Sequence, residues 1–328
     1  MEYITVKADC GLTIKDVLKR RMGFSTRLLR VLKREGGVYL NGNPCWLNVR
    51  VEEKDRIRID FPQEKSHFPP QDIPLEVLFE DGDLLIINKQ PGIVVHPTKG
   101  HPDHTLANAL AMDMEKKGES YKIRFVNRLD MDTSGVLVVA KNAFTQQALV
   151  DQMKRGQTEK RYLALLEGRL SPLEGSVDRP IGEAPGRVGR VIDEDGYPCL
   201  THYRVRDYYL LENQSLSRLF QAPEDAKTQP GQRDGLWERD HILSLTELLL
   251  ETGRTHQIRV HMAYLGHPVL GDSLYGRKRE DLIGRQALHG ASFSFFHPRT
   301  GERLRVEAPL PRDMLDLILK EKGAPDPG

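Results

Sequence analysis

Apolar positions along this chain change their period several times, and each change marks an element. Two short helical stretches come first. Val17 and Leu18 anchor one, while Leu28, Leu29 and Leu32 recur at the i, i+3 and i+4 spacing of a second. Ser25 is placed to cap that second helix and Gly36-Gly37 to stop it. Val38-Tyr39-Leu40 then reads as a strand, Asn41-Gly42 as a hairpin turn, and Arg56-Ile57-Arg58-Ile59 as another strand with alternate positions apolar. Phe61 to Gln71 breaks the pattern. It is polar and holds Pro62, Pro69 and Pro70, the composition of an extended linker. A larger unit begins near Ile73. Its strands are expected at Leu84–Ile87, Val136–Ala140, Tyr162–Leu166, Leu243–Leu250 and Leu304–Glu307, with helices at Asn142–Lys154 and Gln257–Leu265. Thr255 stands as N-cap of the latter helix and Gly266 as its stop. Strands and helices do not alternate as a doubly wound parallel sheet requires, and GxGxxG is absent, so the expected class is α+β around a large sheet. Asn213–Asp240, rich in Gln, Asp, Pro, Arg and Gly, reads as a mobile surface insertion between two strands. The expected division is 1–60 as one module, 61–72 as linker and 73–328 as the larger domain, with the insertion at 213–240.

Composition narrows the class. The chain has 328 residues, enough for a large catalytic domain and a small appended module. Charged residues make up 29% and mean hydropathy is −0.49, which fits a soluble globular protein. No apolar run approaches the roughly 18 to 20 residues needed to span a bilayer. Met1-Glu2-Tyr3-Ile4 does not read as the start of a signal peptide, so a cytoplasmic location is expected. Cys10, Cys45 and Cys199 are odd in number and scattered, which argues against a disulfide framework or a zinc site and fits a reducing compartment. The net charge of +1 conceals a cluster. Between Lys15 and Arg34 there are eight basic residues against one acid, Asp16. Such a patch suits a polyanion, or is an ordinary solvated helix face.

The stretch richest in candidate chemistry is Phe125-Val126-Asn127-Arg128-Leu129-Asp130-Met131-Asp132-Thr133-Ser134-Gly135, followed by the apolar run Val136–Ala140. It places a carboxylate on a polar loop that feeds a buried strand, where catalytic groups are commonly displayed. Gly135 permits a tight approach to that strand. Taken singly, Asp130 is also a turn cap and Arg128 a surface ion pair. The whole string resembles the active-site motif of the RluA family of pseudouridine synthases, HRLDxxTSG, with Asn127 in place of the common histidine. Further blocks follow the family's order: Asp83–Pro97, Lys160-Arg161-Tyr162, Asp178–Gly182, Thr252–His261, Gly266-His267-Pro268, Gly271–Gly276, Leu288-His289 and Glu307–Pro311. The likeness covers nearly all of Ile73 to Pro311 apart from the insertion. Thr13–Asp60 resembles the S4 RNA-binding module in its order of elements, its basic second helix and its Gly-Val-Tyr-Leu-Asn-Gly turn.

These resemblances imply a fold and roles. The fold is a large mixed, mainly antiparallel sheet preceded by a small α/β S4-like module. Asp130 is the nucleophile, Tyr162 stacks on uracil or moves a proton, and Arg259 favours the charged form of Asp130. Arg128, Asn127, Leu288, Thr133 and His256 are the expected substrate contacts. Arg27, Arg30, Lys33 and Arg34 are the expected RNA contacts. Structured RNA is the expected partner, ribosomal in preference to transfer RNA, with a monomer as the working state. The reaction breaks a C–N glycosidic bond and forms a C–C bond with no redox change, so no cofactor is expected; the sequence has no P-loop, HExxH or cysteine cluster. A metal held by His96, His256, His261, His267 or His289 is disfavoured by their neighbours. Three alternatives stand beside this reading. One is the small-subunit type of pseudouridine synthase, one an inert RNA-binding platform left open by Asn127, and one a carboxylate glycosidase using Asp132 as the second acid.

Overall fold

The computed structural model describes residues 1–61, 64–186, 188–211 and 241–320. The chain opens with β1 (Glu2–Ile4), α1 (Ile14–Arg20), α2 (Thr26–Glu35), β2 (Val38–Leu40), β3 (Asn43–Pro44) and β4 (Arg56–Ile59), and the four strands form an antiparallel sheet in the order β1-β4-β2-β3. The apolar spacing of α2 buries Leu28, Leu29 and Leu32 against Ile14, Val17, Leu18 and Ile57. Ser25 Oγ accepts the Leu28 N–H and caps the helix. This core is not sealed by itself. Phe144 of α4 (Ala143–Lys154) inserts beside Phe24 and Phe61, with ring centroids 5.0 and 6.1 Å away.

Among the described residues the main sheet has ten strands. They are β5 (Glu76–Glu80), β6 (Leu84–Lys89), β7 (Arg124–Phe125), β8 (Ser134–Ala140), β9 (Glu159–Glu167), β10 (Glu174–Asp178), β13 (Leu200–Leu210), β14 (Ile242–Leu250), β15 (Leu288–Phe296) and β16 (Arg303–Glu307). The order is β10-β13-β14-β9-β15-β8-β6-β5, with β16 on β15 and β7 on β8. Among the described residues only β8 and β15 run parallel, so the sheet is mixed and mainly antiparallel. A separate hairpin joins β11 (Ile181–Glu183) to β12 (Arg190–Ile192). β13 and β14 pair through Leu210 opposite Ile242, so the segment between them joins two adjacent strands. The expected insertion Asn213–Asp240 lies outside the described residues.

Every residue of β8 is buried, as its unbroken apolar run requires. Its alternation divides the protein's interior. Leu137 and Val139 face a core with Leu85, Ile87 and the helix α3 (Leu106–Lys117), while Val136, Val138 and Ala140 face another with Leu149, Phe293 and Phe295. Each such side chain contributes about 1.5–3 kcal/mol when fully buried. The remaining helices are α5 (Gln257–Tyr264) and α6 (Arg312–Lys320). Among the described residues no helix is long and apolar enough to cross a membrane.

One sequence expectation is corrected here. The N-cap of α5 is His256, not Thr255, and His256 takes a left-handed conformation (φ 57°, ψ 18°) with no side-chain cap bond. The side chain of Gln257 does the local work instead, its Oε1 accepting the Arg254 N–H at 3.0 Å and its Nε2 donating to Leu200 O. Gly266 follows the helix with φ 83°, as a stop requires.

Candidate active site

The register of the central strands lines up one row of residues. Lys89 lies opposite Gly135, Gly135 opposite Gly290, Gly290 opposite Tyr162, and Tyr162 opposite Leu248. Gly135 lets the β8 backbone come unusually close to that of Gly290 in β15. A Cβ on Gly135 (φ 116°) would lie 2.2 Å from Gly290 O. The loop 126–133 crosses this row before the chain enters β8. Leu129 is buried within it, and Thr133 closes a turn by donating its N–H to Asp130 O at 3.1 Å.

Asp130 meets α5 at its side chain. Arg259 Nη1 donates to Asp130 Oδ2 at 2.9 Å, while Nε and Nη2 donate to Oδ2 and Oδ1 of Asp272 at 2.7 and 2.9 Å. Arg259 is 7% exposed and Asp272 fully buried. Asp272 Oδ1 also accepts the N–H groups of Leu274 and Tyr275. The guanidinium is therefore locked bidentate on a buried carboxylate and presents its remaining edge to Asp130. Burial opposes the charge on Arg259, but the Asp272 hydrogen bonds and both carboxylates outweigh it and raise its pKa. Tyr162 is also buried. Desolvation, followed by the Asp130 charge, raises its hydroxyl pKa and keeps it neutral.

Asp130, Arg128, Thr133, Tyr162, His256, Arg259 and Leu288 line one small cleft of about 60 Å³. Arg128 is exposed and reaches Thr255 Oγ1 at 3.4 Å. Asn127 does not line the cleft. Its Nδ2 donates to Val136 O at 3.0 Å and its Oδ1 accepts the Val138 N–H at 2.8 Å. The amide thus completes the β8 ladder in place of a backbone group. Arg27, Arg30, Lys33 and Arg34 lie exposed on α2, and Arg27 and Arg34 border a much larger groove of about 1030 Å³ between α2 and residues 119–125. Size alone does not make that groove the chemical site. Most of its cations are already paired, Arg124 with Glu64 and Lys141 with Glu80 and Glu119.

Several residues at the site carried no role in the sequence reading. Lys89 is fully buried and donates to the carbonyls of Gln90, Met131 and Thr133 at 2.9, 2.7 and 2.9 Å. Arg285 pairs with Asp313 at the start of α6 and donates to Asp132 O at 3.0 Å. Together they hold three successive carbonyls of the Asp130 loop. Beneath it, Ser134 Oγ meets His289 Nδ1 at 2.9 Å and His289 Nε2 meets Ala308 O at 3.2 Å. Burial lowers the His289 pKa to about 4, so it is neutral, with Nε2–H donating to the carbonyl and Nδ1 accepting from the serine. A lysine two residues beyond the apolar run Leu84–Ile87 was the visible signal for Lys89. Asp272 lay inside the family-like block Gly271–Gly276 without an expected role, and nothing local marked Arg285. Among the described residues one group has ligand spacing for a metal, Asp81, Asp83 and His297. It is already satisfied, because Arg299 bonds both oxygens of Asp83 and His297 Nε2 meets Asp81 Oδ2.

This fold and cleft have recognisable counterparts. Residues 83–264 match the family described as RNA pseudouridylate synthase. An uncharacterized RNA pseudouridine synthase, YjbO of Bacillus subtilis, is 38% identical over 304 residues, spanning 92% of this chain and 96% of that protein. The ribosomal large subunit pseudouridine synthase D of Xanthomonas campestris is 36% identical over 318 residues, 92% of this chain and 86% of its own. The solved structure of human RNA pseudouridylate synthase domain containing 1 superposes with a TM-score of 0.55 at 25% identity, covering 80% of this chain and all of that one. The chain belongs to the RluA/RluD-type family of RNA pseudouridine synthases, which are isomerases.

Proposed function

We propose that the protein converts uridine to pseudouridine in structured RNA, ribosomal RNA of the large subunit in preference to transfer RNA, with Asp130 as the nucleophile. The observation that carries this reading is the chain of contacts from buried Asp272 through Arg259 to Asp130. The fixed guanidinium sits 2.9 Å from Asp130 Oδ2, a charge-assisted pair that orients the carboxylate anion. That anion meets the positive charge developing at the sugar as the C–N bond breaks. The detached uracil turns, C5 bonds to the sugar, and the proton leaves C5 while N1 gains one. Tyr162 stacks on the base. Arg128, exposed at the cleft mouth, fills the space that the flipped base leaves in the RNA. The synthase D names among the relatives support the ribosomal substrate.

Residues 1–60 act as an S4-like module in this reading, with Arg27, Arg30, Lys33 and Arg34 on one exposed helix supplying salt-sensitive affinity. The protein works as a cytoplasmic monomer. The test is release of tritium from RNA labelled at uracil C5, since replacing C5–H by C5–sugar must free that label. Wild type releases it and Asp130→Ala does not. No release by either protein on unmodified RNA from several sources would replace this reading with an inert RNA-binding platform.

A further inference from the structure

His256 is held in a left-handed conformation that a non-glycine residue adopts only at a cost. Its imidazole joins two parts of the site. Nδ1 lies 2.7 Å from the hydroxyl of Tyr275, and Nε2 lies 3.8 Å from Asp130 Oδ2. Tyr275 is bonded on its far side as well, because its hydroxyl oxygen accepts the backbone N–H of Arg190 at 2.8 Å. Arg190 begins β12, so the hairpin Ile181–Ile192 is tied to the same hydroxyl. The Tyr275 ring also packs beneath Arg259, whose guanidinium carbon is 5.1 Å from the ring centroid.

The direction of these bonds fixes a proton. With the Tyr275 oxygen accepting from Arg190, its own O–H needs an acceptor, and His256 Nδ1 is the one in reach. A neutral His256 must then carry its proton on Nε2. Burial favours that neutral form against the pull of the Asp130 charge, with a lowered pKa as the result. At 3.8 Å the Nε2–H is too far from Asp130 for a hydrogen bond, and no other acceptor meets it among the described residues.

We infer that Tyr275 is a positioning residue of the reaction: it holds His256 as the Nε2–H tautomer, so that this N–H is offered to an oxygen of the uridine placed against Asp130. As the glycosidic bond breaks, the departing uracil gathers negative charge on its carbonyl oxygens, and a fixed donor beside the nucleophile stabilises that charge more than it stabilises the bound substrate. His256 donates a hydrogen bond in this step and transfers no proton. The Arg190 bond makes the arrangement depend on the position of the hairpin. This inference rests on the reading of Asp130 as the reacting carboxylate.

The experiment uses the full-length protein labelled with nitrogen-15 at histidine. Long-range proton–nitrogen spectra report the tautomer of His256, whose signals are those lost in His256→Gln. Wild type should show the Nε2–H form. Tyr275→Phe should show both tautomers and release tritium roughly tenfold more slowly at saturating RNA, with KM within about twofold of wild type. A wild-type spectrum showing Nδ1–H overturns the inference without any variant having to fold. Tyr275→Phe with an unchanged kcat and native melting overturns it too. Failure of the underlying reading is separate, because full tritium release by Asp130→Ala would leave the tautomer as it is.

Discussion

Replacing Lys89 with methionine should cost more activity than stability. The side chain is fully buried at the end of β6 and its ammonium satisfies the carbonyls of Gln90, Met131 and Thr133. Methionine fills much of the space and donates nothing. Thr133 is 2% exposed, so its carbonyl is stranded, at about 1–3 kcal/mol. Met131 is 38% exposed, so its carbonyl can turn to water. Removing a buried charge offsets part of the loss. A net destabilisation of about 1–2 kcal/mol near neutral pH follows. The loop bearing Asp130 loses two of its anchors, and a displacement of about 1 Å is enough to lower kcat roughly a hundredfold. The pH profile carries a second signature. Folding lowers the Lys89 pKa from 10.5 to about 7, chiefly through burial, with Asp132 and Asp130 pulling the other way. Between those values the unfolded chain binds more protons than the folded one. This group's penalty is therefore full below about 7 and relieved as pH rises, adding at most about 1.36 kcal/mol of stability per pH unit in that window. Lys89→Met should lack that rise. Urea unfolding from about pH 6 to pH 9.5, beside tritium release, measures both effects. A variant with unchanged kcat and a pH–stability curve parallel to wild type would refute the reasoning.

Other substitutions separate support from chemistry. Asn127→Ala removes two hydrogen bonds to the β8 backbone, leaves Val136 O and the Val138 N–H unmatched, and should cost about 1–3 kcal/mol in urea unfolding with little change in KM for RNA; a raised KM at unchanged stability would return Asn127 to the substrate. Gly135→Ala places a Cβ 2.2 Å from Gly290 O at a φ of 116°, so it should destabilise by more than about 3 kcal/mol and lower the melting temperature by several degrees. Joint replacement of Arg27, Arg30, Lys33 and Arg34 by alanine should raise KM for RNA and flatten its salt dependence while kcat holds; a fall in kcat at unchanged KM would remove the helix from RNA binding.

How much of this was legible in the sequence depended on whether the information was local. β6, β8 and β14 announce themselves because buried strands need apolar side chains, and their expected bounds differ from the observed ones by only one or two residues at either end. β15 did not, although it lies at the centre of the sheet. It reads Leu-His-Gly-Ala-Ser-Phe-Ser-Phe-Phe, and its polar members are buried: His289 is bonded to Ser134 and Ala308, and Ser292 and Ser294 are each less than a tenth exposed. The string Asn127–Gly135 was legible as a motif, and the resemblance placed Asn127 among the substrate contacts; what the sequence did not show is that its side chain hydrogen-bonds the β8 backbone. Thr255 satisfied the capping rule by residue type, but the helix takes its cap geometry from His256 and its local hydrogen bonds from Gln257.

Of the buried charges around Asp130, Arg259 was legible through the family resemblance while Lys89, Asp272 and Arg285 carried no expected role, and their physics explains why they are there. Lys89, Arg259, Asp272 and Arg285 are each less than a tenth exposed and come from β6, α5 and the connection between α5 and β15. Burying charge is a poor route to stability, because desolvation consumes most of what pairing returns. A core built only for stability would place apolar residues at these positions. What the charges do supply is direction. Lys89 and Arg285 fix the carbonyls of residues 131–133, and Asp272 fixes the orientation of Arg259. Asp130 is thereby constrained from its own loop and from its partner at once. Removing one member of the Arg259–Asp272 pair would strand a buried charge, whereas Lys89 donates to carbonyls and leaves no partner carboxylate behind, so Lys89→Met should give a protein that folds and turns over slowly and is the most direct way to separate the two properties.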